Sequence, residues 1–310
     1  MIKKPIVISM GEPSGVSTEI VLKTWMTRKK NKLDPFFLID DIHKVKSIIN
    51  RFKFDLNVEK INDLSDVGRI FQNKLPLYDI NHKIKFVLGK PDKKNSPFIL
   101  NSIKECVRFV LNNEAKAMIT LPVCKKTLRE SGFKFNGQTE YIAHLSKIFL
   151  KKKKNEIMIM STKKPADKGK NLIVGLYSTH EPLKKVINKI NSKKFSEKIT
   201  TFRDSLIKIW NIKKPRIGIC GINPHAGEGG LIGDEEKKII IPVINNLKKK
   251  NFLIDGPLSS DTCFFKNKRE DYDGIFCIYH DQALIPIKVL DFFHSINVTG
   301  GLPFLRVSPD

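Results

Sequence analysis

Short apolar runs rich in β-branched residues alternate with amphipathic stretches of ten to sixteen residues along the whole chain. No other feature restricts the fold so tightly. Residues 6–9, 36–39, 117–120, 156–160, 172–177, 216–220 and 274–279 read as strands. Residues 17–26, 97–112, 140–149, 195–210 and 234–249 read as helices. Strands that alternate with helices of this length form βαβ units and a mainly parallel sheet, so the expected class is α/β throughout. The helix at 234–249 opens on Asp234, Glu235 and Glu236 and closes on lysines, which matches the helix dipole at both ends. Residues 161–170 are polar and expected to be exposed. No internal repeat is present.

A chain of 310 residues suits one large or two medium domains, and 41% hydrophobic residues are ample for a core. No apolar run approaches the roughly 18–20 residues of a membrane-spanning helix. The N-terminus has a basic start but too short an apolar stretch for a signal peptide, so a soluble, cytoplasmic protein is expected. The five cysteines (Cys106, Cys124, Cys220, Cys263 and Cys277) are widely spaced, odd in number and contain no C-x-x-C. That pattern argues against a disulfide framework and a thiolate zinc site. Cys220 and Cys277 lie in apolar runs and read as core residues.

The formal net charge of +24 raises the question of a nucleic-acid or membrane partner. Of the 56 basic residues, however, nine are Arg and the rest Lys, a profile that fits a coding bias toward A/T-rich codons. The lysines run from end to end, with small clusters at 151–154 and 248–250, and aromatic residues do not alternate with them as in a stacking platform. A solvated lysine surface is the favoured reading, with no nucleic-acid or membrane partner.

In open α/β sheets, ligands gather beyond the carboxyl ends of the strands. Three of the seven histidines stand there: His180 after 172–177, His225 after 216–220 and His280 after 274–279. Each leaves an apolar strand for a polar or Gly/Pro-rich loop. Three neutral imidazoles with open positions suit a borderline divalent ion such as zinc or cobalt, which polarises a hydroxyl or carbonyl oxygen. Any one of them alone reads better as a loop residue hydrogen-bonded to backbone; three at one topological position shift the balance toward a site. His43, His82, His144 and His294 take no role.

Other segments carry weaker signals. Gly11-Glu-Pro-Ser-Gly15 follows the first strand and would present backbone N–H groups to an anion, or form an ordinary βα turn; the two readings weigh equally. Gly137-Gln-Thr-Glu140 opens a helix, where Thr139 would cap it or bind phosphate. Lys125 and Lys126 lie just past a strand, where an anionic substrate would sit. Lys288, Asn297 and Arg306 follow the third histidine; guanidinium and ammonium groups are the usual ligands of carboxylates and phosphates. Spacing alone does not bring these three together.

Taken together, Gly11-Glu-Pro-Ser-Gly15, Leu121-Pro-Val-Cys-Lys125, Gly137-Gln-Thr-Glu140, Asn223-Pro-His-Ala-Gly-Glu-Gly-Gly230, Asp255-Gly-Pro-Leu-Ser-Ser-Asp-Thr262, Tyr279-His-Asp-Gln282 and Asn297-Val-Thr-Gly-Gly-Leu-Pro-Phe304 resemble the 4-hydroxythreonine-4-phosphate dehydrogenase family. The resemblance spans nearly the whole chain. It implies a fold like isocitrate and isopropylmalate dehydrogenases, with two α/β/α subdomains around a cleft: residues 1–122 with 297–310, and residues 123–296 carrying the metal histidines. It implies a homodimer with the active site at the subunit interface. His180, His225 and His280 would bind one divalent metal (zinc, magnesium or cobalt). Gln138, Thr139, Lys288, Asn297 and Arg306 would bind a small phosphorylated hydroxy acid. The implied reaction is NAD-dependent oxidation of 4-phosphooxy-L-threonine at C3, followed by decarboxylation to 3-amino-2-oxopropyl phosphate, in pyridoxal phosphate biosynthesis. Lys288 or a metal-bound water would take the hydroxyl proton.

Three departures from the family pattern bear on that expectation. The usual G-H-T-E is Gly137-Gln-Thr-Glu140, so a neutral amide that can still donate a hydrogen bond replaces an imidazole. The usual P-V-H-K is Pro122-Val-Cys-Lys125. Family members continue past the position of Asp310 into a D-H-G-T-A-like loop and a final helical segment, and in the related dehydrogenases that loop helps to hold the adenosine half of the cofactor. Weakened NAD binding and a loosened C-terminal edge follow as expectations, and the NAD-contacting residues stay unassigned. Two alternatives remain: a paralogue oxidising 4-phospho-D-erythronate or 4-phospho-threonate, and an inactive, truncated anion- or nucleic-acid-binding protein.

Overall fold

In the computed structural model, which describes residues 4–150 and 155–309, strands and helices alternate as the pattern predicts. The strands come in the order β1 (Ile6–Ile8), β2 (Phe36–Asp40), β3 (Val58–Lys60), β4 (Leu75–Asp79), β5 (Ala117–Ile119), β6 (Ile157–Ser161), β7 (Ile173–Leu176), β8 (Arg216–Cys220), β9 (Leu253–Leu258), β10 (Gly274–Cys277), β11 (Ile296–Gly300) and β12 (Leu305–Pro309). The lysine cluster at 151–154 lies outside the described residues.

Two compact units emerge: residues 4–150 with 303–309, and residues 155–302. Both crossings fall later than the resemblance implied, between 150 and 155 and at 302/303, rather than at 122/123 and 296/297. The reason lies in packing partners. Helices α1 (Ser17–Met26), α2 (Ile42–Phe52), α3 (Val67–Phe71), α4 (Ser96–Leu111), α5 (Lys125–Glu130) and α6 (Gln138–Leu150) all belong to the first unit, and α6 packs on α4. Strand β11 stays with the second unit because it pairs antiparallel with β6 from Ile296 opposite Ser161 to Gly300 opposite Ile157.

In the first unit the strand order is β3-β4-β2-β1-β5-β12, and every neighbouring pair is parallel. β2 is buried at all five positions, as a strand covered on both faces must be. Its core includes Ile8, Leu22, Trp25, Phe36, Leu38, Ile48, Phe71 and Leu77. Helix α2 is well bounded: the Asp41 side chain accepts from the His43 N–H at 2.8 Å, and Lys53 ends the helix in the left-handed region.

In the second unit the order is β11-β6-β7-β10-β8-β9. The β11–β6 and β6–β7 pairs are antiparallel, the rest parallel. Its helices are α7 (Leu183–Lys189), α8 (Ser192–Trp210), α9 (Ile241–Lys249), α10 (Lys266–Arg269) and α11 (His280–Leu290). Phe195, Ile199, Phe202 and Leu206 form the buried stripe of α8 at spacings of four, three and four. The Phe202 ring lies directly on the sheet where Gly175 and Gly274 leave room; a Cβ at either would stand 2.6 Å from that ring. The helix expected at 234–249 is real but irregular, with a π-helical turn at Glu236–Ile240 ahead of α9. The polar stretch at 161–170 is only partly exposed: Ser161 and Thr162 are buried, and Asp167 pairs with the fully buried Arg269.

Cys220 and Cys277 are core residues, as the sequence suggests, and Cys263 joins them. The Cys220 Sγ stands 3.7 Å from that of Cys263 and 4.0 Å from that of Cys277, all three as buried thiols. Among the described residues, no helix is long and apolar enough to cross a membrane.

Candidate functional site

β10 lies between β7 and β8, parallel to both, so the loops that follow these three strands leave the sheet side by side. Those loops carry His180, His280 and His225. The chain order of the three strands, β7, β8, β10, hides this adjacency, which the sheet order supplies.

Two of the three imidazoles meet. The rings of His180 and His280 have centroids 5.4 Å apart at an interplanar angle of 42°. They line a cavity of about 310 Å³ together with Thr179, Glu181, Tyr279 and Asp281. His280 opens α11, and its Nδ1 lies 2.7 Å from an Asp281 carboxylate oxygen. A carboxylate on one ring nitrogen fixes the tautomer and leaves Nε2 with its lone pair for a ligand. Glu181 is kept low in pKa by hydrogen bonds from the Ser178 hydroxyl and Lys189, so it stays a carboxylate at the rim.

His225 is placed differently. It begins a run of left-handed residues, with φ of 50° at His225, 54° at Ala226, 78° at Gly227, 39° at Glu228 and 67° at Gly229. Non-glycine residues enter this region only at a cost of about 1–2 kcal/mol each. The His225 ring is within electrostatic reach of Asp261, which lines a second cavity of about 420 Å³ sharing Tyr279 and Asp281 with the first. Among the described residues, no three His, Cys, Asp or Glu side chains stand together as a ready metal cluster. The expected trio is thus a pair with a third imidazole on the adjacent loop. The donor set nonetheless fits a borderline divalent ion: imidazole nitrogens, one already oriented by a carboxylate.

The residues expected to bind substrate divide between the units. In the first unit, Arg306 on β12 is 3% exposed. Its Nε and Nη2 donate to the Thr120 hydroxyl at 3.1 and 2.6 Å, and its Nη1 donates to the Thr139 hydroxyl at 3.3 Å. Burial pushes the guanidinium down to about 10, with Glu140 opposing the shift, so it keeps its charge at neutral pH. Gln138 opens α6 beside Thr139. Its Nε2 donates to the Leu121 carbonyl at 3.0 Å, while its Oε1 is buried without a hydrogen-bond partner. Arg306, Thr139 and Gln138 therefore converge where the end of β5 meets the start of a thirteen-residue helix, a natural seat for an anion. Thr120 is a member of this group that the sequence reading passed over. It stands directly after β5, five residues ahead of Lys125.

In the second unit, Lys288 lies two turns along α11 from His280, and its Nζ donates to the Ser295 hydroxyl at 3.3 Å. Asn297 lies on β11 with its Oδ1 buried and unpartnered. Lys125 and Lys126 open α5 as exposed residues.

The segment at 11–15 is a buried βα turn, not an anion cradle. The Glu12 N–H donates to the Pro122 carbonyl, the Ser14 N–H to the Glu12 carboxylate and the Gly15 N–H to the Glu12 carbonyl. Burial raises the pKa of the Glu12 carboxyl, and a carboxyl at its centre makes the turn a poor host for an anion. Gly11 is required by space: a Cβ there would lie 2.6 Å from the Pro122 carbonyl oxygen.

Comparison with known proteins gives one consistent answer. The family model described as pyridoxal phosphate biosynthetic protein PdxA matches residues 32–310. A 4-hydroxythreonine-4-phosphate dehydrogenase of Zymomonas mobilis is 34% identical over 307 residues, covering 99% of this chain and 87% of the relative. One from a Sulfurihydrogenibium species is 36% identical over 309 residues, covering 98% and 89%. The crystal structure of a 4-hydroxythreonine-4-phosphate dehydrogenase from Burkholderia phymatum superposes with a TM-score of 0.82 at 30% identity, covering 99% of this chain and 90% of that one.

Proposed function

Since this chain belongs to the PdxA family of pyridoxal phosphate biosynthetic proteins, we propose that it is a 4-hydroxythreonine-4-phosphate dehydrogenase, oxidising the C3 hydroxyl of 4-phosphooxy-L-threonine with NAD. The 3-oxo acid so formed loses its carboxylate as carbon dioxide, because the new carbonyl accepts the electrons of the breaking bond, and 3-amino-2-oxopropyl phosphate results. The observation that carries this reading is the His180–His280 pair at the ends of two adjacent strands, with Asp281 orienting one ring. Of the two remaining readings, a binding protein has no need of that arrangement.

His180, His225 and His280 would hold one divalent ion, zinc, magnesium or cobalt. Bound there, it would supply Lewis acidity toward the substrate hydroxyl, and NAD would accept the hydride. The protein's own groups do the rest. Arg306, held by Thr120 and Thr139, grips an anionic end of the substrate with a charged, preoriented fork. Gln138 brings an amide to the same seat; in the second unit, Asn297 offers the substrate an amide whose oxygen is already desolvated. Lys288, its Nζ placed by the Ser295 hydroxyl, binds the substrate and, in its neutral amine form, would take the hydroxyl proton.

We also propose a cytoplasmic homodimer whose active site is completed at the subunit interface. Ile285, Val289, Phe292 and Phe293 support it. They lie on or just after the helix that carries His280 and Lys288, and each is more than half exposed.

The direct test mixes purified protein with 4-phosphooxy-L-threonine, NAD and a divalent metal and follows NADH absorbance with and without chelator. NADH formation that chelator abolishes is expected. Turnover of 4-phospho-D-erythronate or 4-phospho-threonate, but not of 4-phosphooxy-L-threonine, would overturn the assignment.

A further inference from the structure

The loop that presents His225 is organised around a carboxylate that the proposed chemistry does not use. Glu236 is 2% exposed, and one of its oxygens accepts from two successive backbone N–H groups, Ile222 at 2.7 Å and Asn223 at 2.8 Å. Its other oxygen accepts from the Asn223 Nδ2 at 2.8 Å; the same Nδ2 donates to Glu235 at 2.8 Å. The loop is packed onto this carboxylate without slack. A Cβ on Gly227 would lie 2.7 Å from Glu236 Oε2, and one on Gly221 would lie 2.8 Å from the Ala226 Cα, the residue next to His225.

The strand end beneath the loop is pinned from the opposite side. Gln282, 7% exposed, donates to the Gly221 carbonyl at 2.7 Å and accepts from the Ile278 N–H at 2.6 Å. It thereby ties the end of β8, which leads to His225, to the end of β10, which leads to His280. From Gly221 to Asn223 each peptide is held, first by Gln282 and then by Glu236. Groups of this kind around a ligand loop decide where its imidazole stands.

We propose that Glu236 is a positioning residue, which with Gln282 sets the approach of His225 to the His180–His280 pair and so governs affinity for the divalent ion. The inference rests on the metal reading made above. Glu236 touches neither substrate nor ion; it acts through the backbone of Ile222 and Asn223. What matters is the pattern of donors and acceptors: a carboxylate facing three N–H donors.

The test inverts that pattern. Glu236→Gln keeps an oxygen for the two backbone donors but sets an NH2 against the Asn223 amide. Asn223→Asp sets carboxylate against carboxylate. The pair together restores a donor–acceptor contact, and Glu235, only partly buried, can swing to solvent. Cobalt(II) is titrated into the chelator-treated protein and its d–d absorption read. In parallel, hydrogen exchange at the Ile222 and Asn223 amides is measured in the metal-free protein.

Each single variant is expected to bind cobalt roughly 10- to 100-fold more weakly than the parent, with lower kcat and little change in KM, and the double variant to recover most of the loss. The two amides should be protected in the parent and the double variant and exchange faster in the single variants. Single variants with parental cobalt affinity, or a double variant no better than either, would overturn the proposal while leaving the metal reading intact. If the parent itself gives no cobalt spectrum, the metal reading fails, and the assigned role of Glu236 falls with it. Should the single variants not fold, unprotected Ile222 and Asn223 amides in the parent would suffice to reject the clamp.

Discussion

Arg306 Nη1 and Thr139 Oγ1 lie 3.3 Å apart although 167 residues separate them in the chain. One sits on the last strand of the first unit and the other in the first turn of α6, and Thr120 at the end of β5 completes the bracket. A guanidinium buried in this way is preoriented, because its side-chain entropy is lost on folding and not on ligand binding. Replacing it by methionine removes charged hydrogen bonds of about 1.5–3 kcal/mol to a bound anion. Arg306→Met should therefore raise KM for the phosphorylated substrate by about 10- to 100-fold. It should also abolish any rise in melting temperature that inorganic phosphate gives the parent. Steady-state kinetics and a thermal melt with and without phosphate check both; a KM within twofold of the parent would remove Arg306 from the substrate site.

Asp281 should matter to metal affinity although its own side chain is largely exposed. Its contact with His280 Nδ1 selects the tautomer whose Nε2 is available. Asp281→Asn offers an amide in place of the carboxylate and is expected to weaken zinc or cobalt binding about tenfold. Competition against a chromophoric chelator measures this, with Asp261→Asn as the comparison on the neighbouring cavity.

Asp291 makes a definite pH prediction. Burial pushes its carboxyl up, but the N–H groups of Lys164 and Lys163 and the His294 side chain outweigh that and hold it at about 2. A carboxyl with a depressed folded-state pKa adds stability that is full above its unfolded value and is lost as pH falls through the folded one. The window here runs from about 4 down to 2. Asp291→Asn should lower the unfolding free energy at pH 7 by about 1–3 kcal/mol, and the gap from the parent should shrink toward pH 2. Denaturant unfolding at several pH values reads the difference; a gap independent of pH would contradict it.

Phe202 gives a purely structural control. Its ring fills the space above Gly175 and Gly274 and packs against Phe276. Phe202→Ala should destabilise the second unit by about 3–5 kcal/mol through the cavity it leaves. Phosphate binding near Arg306, in the other unit, should be unchanged below the new unfolding midpoint.

Three strands were legible because they are apolar along nearly their whole length. β2, β7 and β10 are buried at every position, and periodicity finds such runs without help. The strands that escaped detection carry residues a strand pattern disfavours. β4 contains Pro76 and β9 contains Gly256 and Pro257; β3 is three residues long with Glu59 and Lys60, β11 holds Asn297 and Gly300, and β12 buries Arg306. Pairing with an existing neighbour overrides local propensity in each case. Within the site, the three histidines were legible as strand-end residues, yet the order β7-β10-β8 that makes them neighbours is a tertiary fact. Gln282 and Glu236 were named in the sequence, but their positioning role was not legible, because most of their partners are backbone groups and a sequence lists no backbone. Gln138 was read as a donor to the substrate, whereas one of its N–H groups is already committed to the Leu121 carbonyl.

The left-handed turn from His225 to Gly229 has a kinetic consequence. Between the two hands of a peptide lies sterically forbidden territory, so a chain segment cannot drift from one to the other through a series of intermediate shapes. Three of the five residues carry a side chain, so carrying His225 out of this turn means crossing that territory at His225, Ala226 and Glu228. If His225 has to leave this turn to join the pair, metal association to the metal-free protein would be paced by that backbone change. The observed rate would climb with metal concentration and level off at a ceiling that belongs to the polypeptide and is the same for zinc and cobalt.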